Sequence, residues 1–103
     1  MSYSRNDVVL LPIPFTDLTS QKVRPAVIIG NRGSDLFLVP ISSVLSNTDF
    51  AVTEWKAAGL NVACGIKAQI TTVEERLVVK TVGTLTAADQ KILDQRLRAW
   101  LRL

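Results

Sequence analysis

Histidine is absent from this sequence of 103 residues, and cysteine occurs once, at Cys64. The first absence removes the side chain that most often moves protons near neutral pH. The second excludes a disulfide framework within one chain and suits a reducing compartment. Together they leave a structural zinc site without its usual ligands. No apolar run approaches the roughly 18 residues of a membrane span. The opening Met1–Asp7 contains no apolar signal region, so a cytoplasmic protein is expected. No glycine-rich phosphate loop, linker, repeat or low-complexity stretch interrupts the chain. At this length the expectation is one small domain over residues 1–103.

What is present is apolar and mildly basic. An apolar fraction of 48% is ample for a core, and the net charge of +3 permits a nucleic-acid partner without demanding one. Part of the positive excess is Arg96, Arg98 and Arg102, where cations complement the C-terminal end of a helix.

The patterning reads as several short strands followed by one helix. Asp7–Phe15 predicts a strand, broken by Pro12 and Pro14 at a sheet edge or bulge. Thr16–Gln21 is polar and predicts a hairpin loop. Pro25–Gly30 and Leu36–Ile41 predict the second and third strands, with a turn over Asn31–Asp35. After a loop over Ser42–Asp49, Phe50–Glu54 predicts a fourth strand. Trp55–Gly59 predicts one helical turn closed by glycine. Ile66–Thr72 and Leu77–Val82 add two strands, and short strands at this spacing predict a small barrel or rolled sheet. Thr86 then predicts an N-cap, with Asp89 at the third helical position. Leu93, Leu97, Trp100 and Leu101 form an apolar stripe, and Asp94 and Arg98 are spaced as an i,i+4 pair.

Chemistry concentrates in Lys22-Val23-Arg24-Pro25-Ala26-Val27-Ile28-Ile29. Pro25 biases Arg24 toward an extended backbone at the mouth of a strand. A guanidinium there offers a rigid fork of donors that stays charged at any working pH. Its plain structural role is a surface pair with Asp7 or Asp17. Ser42 and Ser43 stand where the third strand runs out, and hydroxyls there can donate to a phosphate oxygen. Their plain role is to satisfy turn backbone groups. With no histidine, and no lysine nearby in sequence, nothing suited to activating either serine as a nucleophile is visible. Glu74-Glu75-Arg76 reads as a solvated turn, and Trp55 and Trp100 read as core or interface residues.

In order, Asn6-Asp7-Val8-Val9, Pro14-Phe15-Thr16-Asp17, Val23-Arg24-Pro25-Ala26-Val27-Ile28, Val39-Pro40-Ile41-Ser42-Ser43, Trp55-Lys56-Ala57-Ala58-Gly59-Leu60, Gln69-Ile70-Thr71-Thr72-Val73 and Val82-Gly83-Thr84-Leu85-Thr86 resemble the MazF/PemK (Kid) family of type II toxin–antitoxin toxins. The resemblance implies a mainly β fold with helical additions, an SH3-like small barrel of the CcdB/PemK type with a C-terminal helix. It implies a homodimer, a cognate antitoxin whose disordered tail covers the site, and metal-independent, sequence-selective cleavage of single-stranded RNA without a cofactor. By the same resemblance, Arg24 and Ser42 are catalytic. Thr16, Asp17, Gln21, Lys22, Ser43, Lys67 and Gln69 are the implied substrate contacts.

The chain departs from the family pattern at several positions. Many members carry threonine where Ser42 stands, glutamine where Val44 stands, and aspartate where Ala68 stands. A basic residue is common at the position of Ile66, a role that a one-residue shift gives to Lys67. Two other readings of the same fold remain open at this level: a catalytically weak binding module, and a CcdB-type toxin that binds gyrase. The Arg24-Pro25 motif belongs to the ribonuclease branch and speaks against the second.

Overall fold

A computed structural model describes residues 3–13 and 22–103 of the chain. The elements run β1 (Asp7–Pro12), β2 (Val23–Arg32), β3 (Asp35–Ser42), β4 (Phe50–Ala51), β5 (Gly65–Ile66), β6 (Thr71–Glu74), β7 (Lys80–Thr84) and α1 (Ala87–Leu101). Every strand pair is antiparallel, in the order β4–β5–β3–β2–β1–β7, with β6 also on β3. This is the mainly β architecture with a C-terminal helix that the sequence predicts. The loop predicted over Thr16–Gln21 lies outside the described residues, as does Pro14.

The three long strands are buried on both faces. Val8, Val27, Val39 and Ile41 join one apolar cluster with Phe50, Ile66, Leu93 and Leu97. Val9, Leu11, Ala26, Ile28, Leu36 and Leu38 form the other. Side chains alternate across a strand, so burial on both sides produces near-continuous apolar runs in the sequence.

Where elements differ from expectation, a hydrogen-bond partner accounts for it. The strand predicted over Ile66–Thr72 is two strands, β5 and β6, on different halves of β3. Pro40 lies between those halves and has no N–H to give the ladder. It offers only its carbonyl, which accepts from the Lys67 N–H at 2.9 Å. The strand predicted over Phe50–Glu54 ends at Ala51, because the N–H groups of Thr53 and Glu54 donate to Asp89. The strand predicted over Leu77–Val82 starts at Lys80 and reaches Thr84, after a 3-10 turn at Glu75–Leu77. The turn predicted over Asn31–Asp35 narrows to Gly33-Ser34.

Asp89 does not close a capping box. It is fully buried and reaches across to residues 53–54, accepting from Thr53 N (3.0 Å), Thr53 Oγ1 (2.8 Å) and Glu54 N (2.9 Å). Thr86 stands at the N-cap but donates its hydroxyl to Glu54 Oε1 at 2.7 Å. Leu93 and Leu97 are buried as the stripe predicts, whereas Leu101 is exposed beside the left-handed Arg102 that ends the helix. Trp100 is half-buried and donates Nε1 to Asp49 Oδ2 at 3.3 Å. Arg98 Nε donates to Asp94 Oδ2 at 3.0 Å, the predicted i,i+4 pair.

Candidate active site

Arg24 begins β2 and Ser42 ends β3, so one hairpin brings them to the same end of the sheet. In its ladder, Ala26 faces Pro40 and Val27 faces Val39. Carrying that register two residues further sets Arg24 opposite Ser42. Both line one cleft of about 670 Å3, together with Ser43 and Val44. Leu10, Pro25, Ile41 and Cys64 also line it, and Gly59–Val62 and Lys80–Val82 bound it. Asp7 is not at hand for Arg24. Its carboxylate accepts from Ser4 N (2.9 Å) and Thr84 Oγ1 (3.2 Å), whereas Arg24 faces Leu11. Four residues of strand separate Asp7 from Leu11, about 13 Å at 3.3 Å per residue.

The wall is held from behind. Ala58-Gly59 packs against Val82-Gly83 so closely that a β-carbon on Gly59 would strike the Val82 carbonyl, and one on Gly83 that of Ala58. Gly59 also has φ of +90°, which a side chain tolerates poorly. Asp89 fixes the start of the same turn through Thr53 and Glu54.

The cleft's chemistry is cationic and hydroxylic. Among its described lining residues, Arg24 and Lys80 carry positive charge and no carboxylate is present. Ser42 Oγ accepts from the Val44 N–H at 3.1 Å. That is the turn-satisfying role the sequence allows, and it uses only a lone pair, so the hydroxyl proton is left to donate. Cys64 is buried, and its thiol pKa is pushed above the ordinary value, first by burial and then by the negative charge of Asp89. It is held as a neutral thiol near pH 7, the unreactive form.

A family model described as PemK-like, MazF-like toxin of type II toxin–antitoxin system matches residues 4–101. The chain belongs to this toxin family. Among curated proteins, no sequence matches significantly. Among solved structures, the toxin resembles the Mycobacterium tuberculosis toxin MazF-mt6 at 15% identity, with a TM-score of 0.74. That likeness covers 94% of this chain and 97% of the other. It also resembles an endoribonuclease in complex with its cognate antitoxin from a mycobacterial species, at 18% identity and a TM-score of 0.71. There the coverage is 96% of this chain and 92% of the other. At these identities the likeness establishes the fold.

The toxin brings only some of the sequence-predicted residues together. Arg24, Ser42 and Ser43 share the cleft. Lys22 is exposed, one residue before β2. Lys67 and Gln69 line a separate depression of about 360 Å3 with Ser46–Asp49, and Gln69 Nε2 donates to Thr71 Oγ1 at 3.3 Å. Thr16, Asp17 and Gln21 lie outside the described residues. Sequence reasoning missed Asn61, Val62, Lys80 and Thr81 as lining residues. The signal for Lys80 and Thr81 is the pairing of β1 with β7, which local patterning does not carry. No helix of the described residues is long and apolar enough to cross a membrane, and no three of their His, Cys, Asp or Glu side chains are grouped to hold a metal ion.

Proposed function

We propose that this toxin is a metal-independent endoribonuclease acting on single-stranded RNA. The observation that carries the reading is the meeting of Arg24 and Ser42 in a cleft with two cations and no carboxylate among its described lining. Without an activated protein nucleophile, the substrate's own 2′-hydroxyl attacks the adjacent phosphorus. Negative charge then grows on the phosphoryl oxygens. The Arg24 guanidinium meets that charge with paired donors, and the Ser42 hydroxyl adds one more. Arginine is a poor proton carrier at neutral pH, so the rate rests on positioning and charge stabilisation. Such attack leaves a 2′,3′-cyclic phosphate on one fragment and a 5′-hydroxyl on the other.

The active form in this reading is a cytoplasmic homodimer silenced by a cognate antitoxin. Exposed Leu45, Ile70 and Val79 lie outside the cleft lining and give apolar surface on which a second copy can close. An acidic antitoxin segment would lie over Arg24 and Lys22, its carboxylates replacing RNA phosphates. The mycobacterial endoribonuclease solved with its antitoxin supports that partnership. Mass spectrometry of RNA fragments tests the chemistry. Cyclic phosphate and 5′-hydroxyl ends, formed at an unchanged rate in chelator, are expected; 5′-phosphate ends or loss of activity on chelation would overturn it. A binding module is favoured by one observation, the exposed apolar Val44 next to Ser43 in the cleft; bound but uncut RNA would establish it.

A further inference from the structure

Lys80 opens β7 and pairs with Leu10 of β1, and Leu10 in turn pairs with Pro25 of β2. Residues directly opposite in antiparallel strands share a face. Lys80, Leu10 and Pro25 are therefore one row across three strands, and all three line the cleft. Arg24, next to Pro25 in sequence, belongs to the alternate row that pairs with Leu11, and it lines the same cleft from the start of β2. At about 4.8 Å between strands, Lys80 stands two strands, about 10 Å, from the Pro25 position. That backbone spacing leaves room for neighbouring phosphates of one strand, each meeting one cation.

The charge pattern agrees. Lys80 is exposed, and among the described residues it has no carboxylate in salt-bridge reach. Its ammonium is a point charge on a flexible stem, suited to a phosphate whose orientation is not fixed. Arg24, with its planar fork, suits the phosphate whose geometry matters.

We propose that Lys80 binds a second phosphate of the RNA strand, flanking the one that meets Arg24, and so sets how the strand lies along the cleft. The inference rests on RNA being the ligand. Lys80 acts in binding and not on the reacting bond.

The test uses the whole protein and a non-cleavable RNA oligomer, methylated at every 2′-oxygen, with affinity measured across a salt series. Losing one phosphate contact on a single strand should reduce the slope of log affinity against log salt by about 0.7. Lys80→Gln is expected to show that reduction and weaker binding, while Lys91→Gln on the helix, outside the cleft, keeps the wild-type slope. A scan replacing one phosphate at a time by uncharged methylphosphonate should then find one flanking position that weakens wild type but not Lys80→Gln. On cleavable RNA, Lys80→Gln should raise KM and leave kcat unchanged. If wild type binds no RNA at any salt, the ribonuclease reading fails and this inference with it. If wild type binds RNA, but Lys80→Gln matches its slope and its phosphonate scan, the flanking contact alone is wrong. A fall in kcat at constant KM would also overturn it, since Lys80 would then act on the reaction.

Discussion

Gly59 and Gly83 let two stretches of main chain touch where a β-carbon on either would collide with the carbonyl of the other stretch. One stretch follows the turn that Asp89 anchors, and the other is β7, which carries Lys80. The contact therefore sets how two walls of the cleft meet.

Gly83→Ala should destabilise the protein by about 1–3 kcal/mol, the usual cost of overpacking. Gly59→Ala should cost more, because its φ of +90° adds backbone strain to the collision. The double variant should cost less than the sum, since both changes break the same contact. Thermal unfolding of the three variants checks this, and strict additivity would show that the glycines act independently.

Asp89→Asn should cost about 1–3 kcal/mol, because the amide turns one acceptor into a donor facing another donor. Either orientation sets the new NH2 against groups that now donate to the carboxylate, from Thr53 or Glu54. Equilibrium denaturation measures the cost. Altered amide exchange at Thr53 and Glu54 would locate it.

Arg24→Ala should lower cleavage on the order of a hundredfold or more, as loss of one oxyanion donor does, while the melting temperature stays near wild type because Arg24 is exposed. Arg24→Lys should not rescue, since the charge returns without the fork. Ser42→Thr should retain activity and Ser42→Ala should lose it, with no phosphoserine trapped at position 42. Single-turnover assays with intact-mass analysis decide all four.

The raised pKa of Cys64 has a defined sign. The folded state holds the neutral thiol to higher pH than the unfolded state does. Its contribution is complete below the unfolded-state pKa and is lost as pH rises through the folded one. Stability should therefore fall on the alkaline side less steeply in Cys64→Ala than in wild type. Native Cys64 should also react slowly with iodoacetamide near neutral pH, and rapid labelling would contradict the burial.

Much of the fold was legible because β1–β3 carry it: their apolar runs are long and bounded by turn residues. The placing of Arg24 and Ser42 at strand ends was legible for a related reason, since each sits where such a run begins or ends, whereas their proposed catalytic roles come from the family resemblance. What local pattern could not show was exchange of partners. Phe50–Glu54 looks like a strand until Asp89, far along the chain, takes its last two N–H groups. Ile66–Thr72 looks continuous until Pro40 withholds a donor from the facing edge. Lys80 reads as an ordinary surface lysine until β1, lying between β7 and β2, sets it in one row with Pro25.

The brace behind the cleft has a consequence for the order of synthesis. Arg24 and Ser42 leave the ribosome before Lys80, Gly83 and Asp89. A nascent chain halted before Asp89 carries both proposed catalytic groups while its turn at Thr53 and Glu54 still lacks the carboxylate that fixes it. If the toxin is the ribonuclease proposed above, its activity would then await the emergence of Asp89. Stalled chains of graded length, assayed on labelled RNA, should stay inactive until α1 has emerged.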